Sequence, residues 1–352
     1  MQTTTYFLGA NTPEGFCSQY DALFRDARIR ELIILKGGAG CGKSTLMRKL
    51  SAAAVSRGCD AEEILCSSDP DSLDALIIPA AGLALVDGTA PHVVEPPLCG
   101  VGARYLDLGR FYDGDRLWQL RASLLALKEK NAACYPLCYS ALQAAQAASD
   151  GLRTLAASLL PEAAWSEAKT KLVPQIIPLR DPSGDTLCRY TTAFTPQGCR
   201  SVPLPCRTLR TIRDSYGLAA PLLSAVRRAY RSAGHLTACG YDPLHPRCLQ
   251  SLLLPEMEIG YIAYSPLFQM EDTETDLDLD ALVEEYASSD ILQQLQAFAA
   301  LREQAVQAAL AYLAEAKRHH DALEQLYRPA VDFDGLDDTA DALLSELEKR
   351  LA

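Results

Sequence analysis

The chain has 352 residues, of which 49% are hydrophobic and 22% charged, with a formal net charge of −12 at pH 7. This length can bury two modest hydrophobic cores, and the balance is that of an ordinary globular protein. The acidic excess argues against a broad nucleic-acid footprint, and no apolar run approaches the length of a membrane span.

Met1–Tyr6 lacks the basic-then-apolar layout of a signal peptide, so the cytoplasm is the expected location. The first element with chemical content is the short apolar run Leu32-Ile33-Ile34-Leu35, which reads as a buried parallel strand. Directly after it comes Gly37-Gly38-Ala39-Gly40-Cys41-Gly42-Lys43-Ser44-Thr45, a match to the phosphate-binding pattern G-x-x-x-x-G-K-[ST]. Leu46, Leu50 and Ala54 then recur at helical spacing until Gly58 stops the helix. Glycines let successive backbone N–H groups turn toward a phosphate, and the helix start adds the positive end of its dipole. In this reading Lys43 reaches the β- and γ-phosphates and the Ser44 hydroxyl holds Mg²⁺. Thr45 supports the base side or packs.

Glu63–Cys66 reads as the next strand, and Asp69 ends it with Asp71 and Asp74 nearby. At the C-terminal edge of a parallel sheet these carboxylates would face the nucleotide, and Asp69 is a candidate for orienting water or substrate. A helix cap is the competing reading of Asp69. Leu83-Ala84-Leu85-Val86-Asp87 has the form of a strand that delivers a carboxylate to Mg²⁺, so Asp87 is the second metal residue. No glutamate follows it. Thr89 or His92 is left to sense the γ-phosphate, and slow or partner-dependent turnover is expected. Arg104 and Arg110 lie close enough in sequence to be considered as charge-stabilising arginines.

A helical segment over 115–170 follows, with Leu117, Leu120, Leu124 and Leu127 as its seam. Among twelve cysteines there is no C-x-x-C pair, and histidines number five, so a zinc site has little to stand on. Cys134 and Cys138, one helical turn apart, read as small core residues. The turn-rich stretch Pro178–Gly184 divides the chain into residues 1–180 and 185–352. Residues 280–352 form a second helical segment, with a stripe through Leu292, Leu295, Ala299, Val306, Leu310 and Leu313. The Lys317-Arg318-His319-His320 cluster on it reads as a solvated face or a partner contact.

The two halves share landmarks in one order, which indicates an internal duplication. Thr12-Pro13-Glu14-Gly15 recurs as Thr195-Pro196-Gln197-Gly198, Cys66–Pro70 as Cys239–Pro243, and Leu76–Pro79 as Leu252–Pro255. Sliding one half onto the other puts Asp214 near Gly37, Ala220 near Lys43 and Pro221 near Ser44. The second half thus lacks the lysine and the hydroxyl and reads as a degenerate copy. Arg207, Arg210, Arg213, Arg227, Arg228 and Arg231 cluster there, either as a solvated face or reaching toward the nucleotide of the first half.

The segment Gly9–Phe16, the glycine loop, Cys66–Asp74 and Asp87–His92 together resemble a family of uncharacterised Firmicute ATPase-like proteins. That family is itself similar to tandem P-loop NTPases with helical insertions. The resemblance implies nucleotide binding and no particular substrate, and the losses at Asp214, Ala220 and Pro221 depart from the family's paired loops. The expected fold is an α/β P-loop NTPase three-layer sandwich with a parallel sheet, internally duplicated. The expected function is a Mg²⁺-dependent, single-site ATPase that meets an unidentified protein partner through its helical segments. A non-hydrolysing nucleotide sensor or scaffold and a small-molecule kinase are the alternatives. ATP is the default because no N-K-x-D guanine motif is present.

Overall fold

The computed structural model describes residues 3–89, 93–96, 98, 100–181, 187–269 and 274–352. Strand β1 (Thr3–Tyr6) leads into a hairpin of β2 (Gly9–Thr12) and β3 (Gly15–Ser18). Then come β4 (Glu31–Lys36), α1 (Lys43–Ser56), β5 (Ala61–Cys66), β6 (Asp69–Ile78), β7 (Leu83–Asp87) and β8 (Ala103–Asp107). Helices α2 (Gly114–Gln119), α3 (Arg121–Leu159) and α4 (Glu162–Leu172) close the first half. The second half repeats the order with β9 (Leu187–Arg189), β10 (Thr192–Thr195), β11 (Gly198–Ser201), β12 (Thr208–Arg213) and α5 (Ala219–Ser232). It continues with β13 (Ala238–Tyr241), β14 (Leu249–Leu254), β15 (Ile259–Tyr264) and β16 (Leu277–Asp278). It ends in α6 (Leu279–Tyr286), α7 (Ser289–Tyr327) and α8 (Phe333–Leu351). Among the described residues no helix is long and apolar enough to cross a membrane.

The chain is an α/β protein with two mixed sheets. Their strand orders are β1-β5-β6-β7-β4-β8 and, counterpart for counterpart, β9-β13-β14-β15-β12-β16. The expected parallel sheet is therefore corrected: β4 pairs parallel with β7 and β8, but β6 is antiparallel to both β5 and β7. The cause is connection length. Only Ser67 and Ser68 separate β5 from β6, and a parallel crossover needs a dozen residues or more.

β4 and β7 are apolar without alternation because both faces of the sheet are covered. Ile33 and Leu35 pack on Met47 and Leu50 of α1 and on Leu343 and Leu347 of α8. Leu32 and Ile34 face a core with Tyr6, Tyr20 and Leu23, into which the second half sends Tyr190 and Ala193. On that side no α-helix among the described residues joins the core; a 3-10 helix (Tyr20–Arg25) and strand residues fill it. The expected three-layer sandwich is corrected to that extent, because Tyr190, Ala193 and Val202 of the second half take part in covering this face.

The duplication reaches individual hydrogen bonds. Thr12 Oγ1 donates to the Gly15 carbonyl at 2.7 Å and Thr195 Oγ1 to the Gly198 carbonyl at 2.8 Å. Phe7 and Tyr190 exchange both backbone N–H···O bonds across the join of the halves. The ladder also corrects the sequence alignment. Glu63 faces Leu76 as Cys239 faces Leu252, so Cys239 stands in the place of Glu63, and His245 in that of Asp69. Asp69 opens β6, so the helix-cap reading falls as well.

Gly82 (φ 59°) and Glu258 (φ 53°) are counterparts, and each carbonyl accepts two consecutive amides, Arg30 and Glu31 in one half, Arg207 and Thr208 in the other. Left-handed backbone costs a residue with a Cβ roughly 1–2 kcal/mol, partly offset by glycine's freedom in the unfolded chain. Glu258→Gly is therefore expected to stabilise by up to about 1 kcal/mol, read as a rise in Tm by differential scanning calorimetry.

The long helices exchange their ends between the halves. α3 and α7 run antiparallel: Asn131 Nδ2 donates to the Ala316 carbonyl at 2.8 Å, and Gly151 lets the Phe298 ring approach. The seam is Cys138, Leu142 and Ala145 against Val306, Ala309 and Leu313, while of the four leucines expected to form it only Leu124 is buried. Because each helix crosses to the far sheet, α4 packs on α5 and α8 packs on α1.

Candidate functional site

β4 ends at Lys36 and α1 begins at Lys43, so the glycine loop spans Gly37 to Gly42 between them. Gly40 (φ 71°) and Gly42 (φ 74°) hold the left-handed conformation that turns the chain into the helix. Lys43 bends back over the loop, its Nζ donating to the carbonyls of Gly37 at 2.7 Å and Gly38 at 2.9 Å. Cys41, 1% exposed, donates its thiol to the same Gly38 carbonyl at 3.2 Å. Ala39 gives its carbonyl to the Tyr112 hydroxyl at 2.9 Å.

Asp87 ends β7, the parallel neighbour of β4, and its Oδ2 lies 3.5 Å from Lys43 Nζ. Its Oδ1 accepts the Thr89 amide at 2.9 Å and the Thr89 hydroxyl at 2.6 Å, which fixes the carboxylate's orientation. Lys43 and Asp87 are mostly covered, with side chains 13% and 16% exposed. Ser44 Oγ accepts the Leu73 amide of β6 at 2.9 Å, tying the helix start to the sheet. Thr45 is exposed on α1.

The other carboxylates have separate engagements. Asp69 accepts the Ser72 hydroxyl at 2.9 Å and lies 3.6 Å from Lys317 Nζ on α7. Asp71 accepts from Gln197 Nε2 at 2.6 Å, and buried Asp74 accepts the Tyr20 hydroxyl at 2.8 Å. Arg104 pairs with Glu31 and with Glu346 of α8, and Arg110 stacks on Phe111 and reaches Thr339. Both arginines therefore anchor α8. His92 lies outside the described residues.

Groups that the sequence did not single out also touch the loop, and Glu324, Tyr327 and Leu336 among them come from the second half. Glu324, near the end of α7, lies over Gly40, where a Cβ would stand 3.6 Å from the Glu324 carbonyl oxygen. His320, 3.4 Å from the Glu324 carboxylate, holds it below its usual range. The Tyr327 ring borders Gly38 and packs on Tyr112 with centroids 5.2 Å apart. Within the cluster at 317–320, Lys317 reaches Asp69 of the first half, while Arg318, His319 and His320 pair with Glu315 and Glu324 on α7 itself. A cleft of about 450 Å³, lined by Arg110–Asp113 and Pro329–Asp332, opens beside it.

The counterpart in the second half differs. Its loop is one residue shorter, so Ala219, and not Ala220, stands where Lys43 does, and Pro221 falls within the first turn of α5. Asp214 caps that helix, accepting the amides of Leu218 at 2.8 Å and Ala219 at 2.7 Å. Burial pushes its carboxyl up to about 6 against those hydrogen bonds. Ala263 takes the place of Asp87. A cavity of about 60 Å³ remains, lined in part by Asp214, His245, Gln250 and Arg302. Arg210 and Arg213 form ion pairs with Asp276, Asp278 and Asp280, within the second half.

Comparison with protein-family models, with curated proteins and with solved structures finds no match to this chain. The functional reading therefore rests on the residues and their geometry.

Proposed function

We propose that the first half is a P-loop nucleotide-binding unit and the chain a slow, single-site ATPase. The observation that carries this reading is the Lys43–Asp87 pair, 3.5 Å apart, enclosed between a left-handed glycine loop and the ends of two parallel strands. A lysine held inside a curl of backbone at a helix N-terminus is suited to an anion of several oxygens: the dipole and the amides meet one phosphate and the ammonium the next. The hydroxyl of Ser44 and the carboxylate of Asp87 are hard oxygen donors of the kind Mg²⁺ takes alongside water and phosphate, and the ion would neutralise charge on the terminal phosphates. One site is expected because Ala219 and Ala220 open α5 where Lys43 and Ser44 open α1, and Ala263 takes the place of Asp87.

A sensor that binds without turnover is the second reading. It is favoured by the engagement of Asp69 with Ser72 and Lys317, and of Glu324 with His320, since neither carboxylate stands ready as a base toward water.

Isothermal titration of ATP, ADP and GTP with Mg²⁺, on wild type and Lys43→Ala, tests both readings when phosphate release is followed in the same samples. One site per chain that loses about 100-fold or more of its ATP affinity in Lys43→Ala supports the proposal. Turnover then separates ATPase from sensor. Absence of any nucleotide binding in wild type sinks it.

A further inference from the structure

Where the first half has its glycine loop, the second half has the cavity of about 60 Å³, at the start of α5 and the ends of β12 and β15. The exchanged helices supply part of its wall: Arg153 comes from α3 and Arg302 from α7. Arg302 is 4% exposed, so its charge is withdrawn from bulk water. It makes one hydrogen bond, from Nη1 to the Ser215 carbonyl at 2.8 Å. Among the described residues its buried Nε has no partner, and the guanidinium forms no ion pair. A buried cation left in that state is costly, and folded proteins meet such a group with a counter-charge, a bound ion or ordered water.

The charges around it are already engaged. Asp214 turns its two oxygens to the amides of Leu218 and Ala219, and Asp242 accepts the Leu244 amide at 2.8 Å and lies 3.3 Å from His245. Asp280 bonds Ser215 and pairs with Arg213, while Arg153 pairs with Asp150. Arg302 is the charge left over. Its planar fork of N–H groups matches two oxygens of one oxyanion, and the cavity is several times the roughly 10–15 Å³ that a single water needs. We propose that the second half binds a small oxyanion of phosphate size on the Arg302 guanidinium. The degenerate copy has no lysine in its loop; it would keep an anion at the same edge of its sheet, with the positive charge brought by α7. The proposal is independent of what the glycine loop of the first half binds.

The test is isothermal titration of inorganic phosphate, and separately of glycerol phosphate, at constant ionic strength into the full chain carrying Lys43→Ala, which removes the hold of the glycine loop on phosphate. One phosphate per chain is expected. Adding Arg302→Met should weaken it about tenfold or more, and Arg302→Lys, which keeps the charge but loses the fork, should fall between the two. Ala220→Leu, on the cavity wall, leaves the arginine in place and fills the space, so it should block binding even if Arg302→Met does not fold. Binding of phosphate alone marks a free ion, and binding of both probes marks the phosphoryl end of a larger molecule. No binding to the Lys43→Ala protein, or equal binding in every folded variant, overturns the proposal and leaves the cavity to water. The nucleotide reading stands or falls separately, on Lys43-dependent binding of ATP.

Discussion

Removal of α8, residues 333–352, is expected to unfold the sheet that carries the glycine loop, although no residue of that helix lies within it. α8 supplies Ala340, Leu343 and Leu347 to the core on the α1 side, facing Ile33, Leu35 and Leu50. Without it, the face of β4 and β7 that packs there would open to water. Each fully buried leucine is worth roughly 1.5–3 kcal/mol in transfer alone, and a small domain has only about 5–15 kcal/mol in total. Four ion pairs would go too: Lys49–Asp337, Arg57–Glu348, Arg104–Glu346 and Arg350–Glu31. They are exposed or half-exposed and add little. The graded form of the experiment is Leu347→Ala, which empties a site with no exposure and is expected to cost about 3 kcal/mol. Urea unfolding, followed on the purified full chain, reads the loss. A cost below about 1 kcal/mol would mean that α8 is an appendage and that α1 alone completes the core.

Asp87→Asn is expected to lower ATP turnover by about 10²–10³-fold while leaving the fold intact. The change is isosteric at a side chain 16% exposed, and the amide oxygen still accepts from Thr89. What it removes is charge beside Lys43 and a hard oxygen for Mg²⁺. The lysine, freed from its carboxylate, keeps its bonds to the Gly37 and Gly38 carbonyls, so ADP affinity without metal should change little. The diagnostic readout is the Mg²⁺ concentration needed for half-maximal ATP binding, which rises in the variant. An unchanged Mg²⁺ dependence would assign the metal elsewhere and reduce Asp87 to an orienting partner of Lys43.

The glycine loop and its pairing of Lys43 with Asp87 were legible in the sequence because their signals are contiguous. Strand, glycines, lysine and helix fall within Leu32–Ala54, and Asp87 ends an apolar run of its own. The duplication was legible in outline, yet the alignment of Cys66 with Cys239 slipped by three residues. Short turns tolerate such slips when matched on Asp-Pro alone, whereas the ladder fixes the register through Leu76 and Leu252. The antiparallel placement of β6 was available in principle, since two residues cannot make a crossover. The cover over the loop was not. Glu324 and Tyr327 look like any polar and aromatic residue of a long helix, and only the antiparallel pairing of α3 with α7 brings them to Gly40 and Gly38.

The exchange of helices also sets an order of events when the chain is made. Arg350 reaches back to Glu31 across 319 positions, so residues that complete the glycine loop's sheet are made only after the second half. Until then the first half exposes the apolar α1 face, and closing so long a loop is entropically slow. The nascent first half therefore presents hydrophobic surface, of the kind chaperones shield, until α8 has been made and docked.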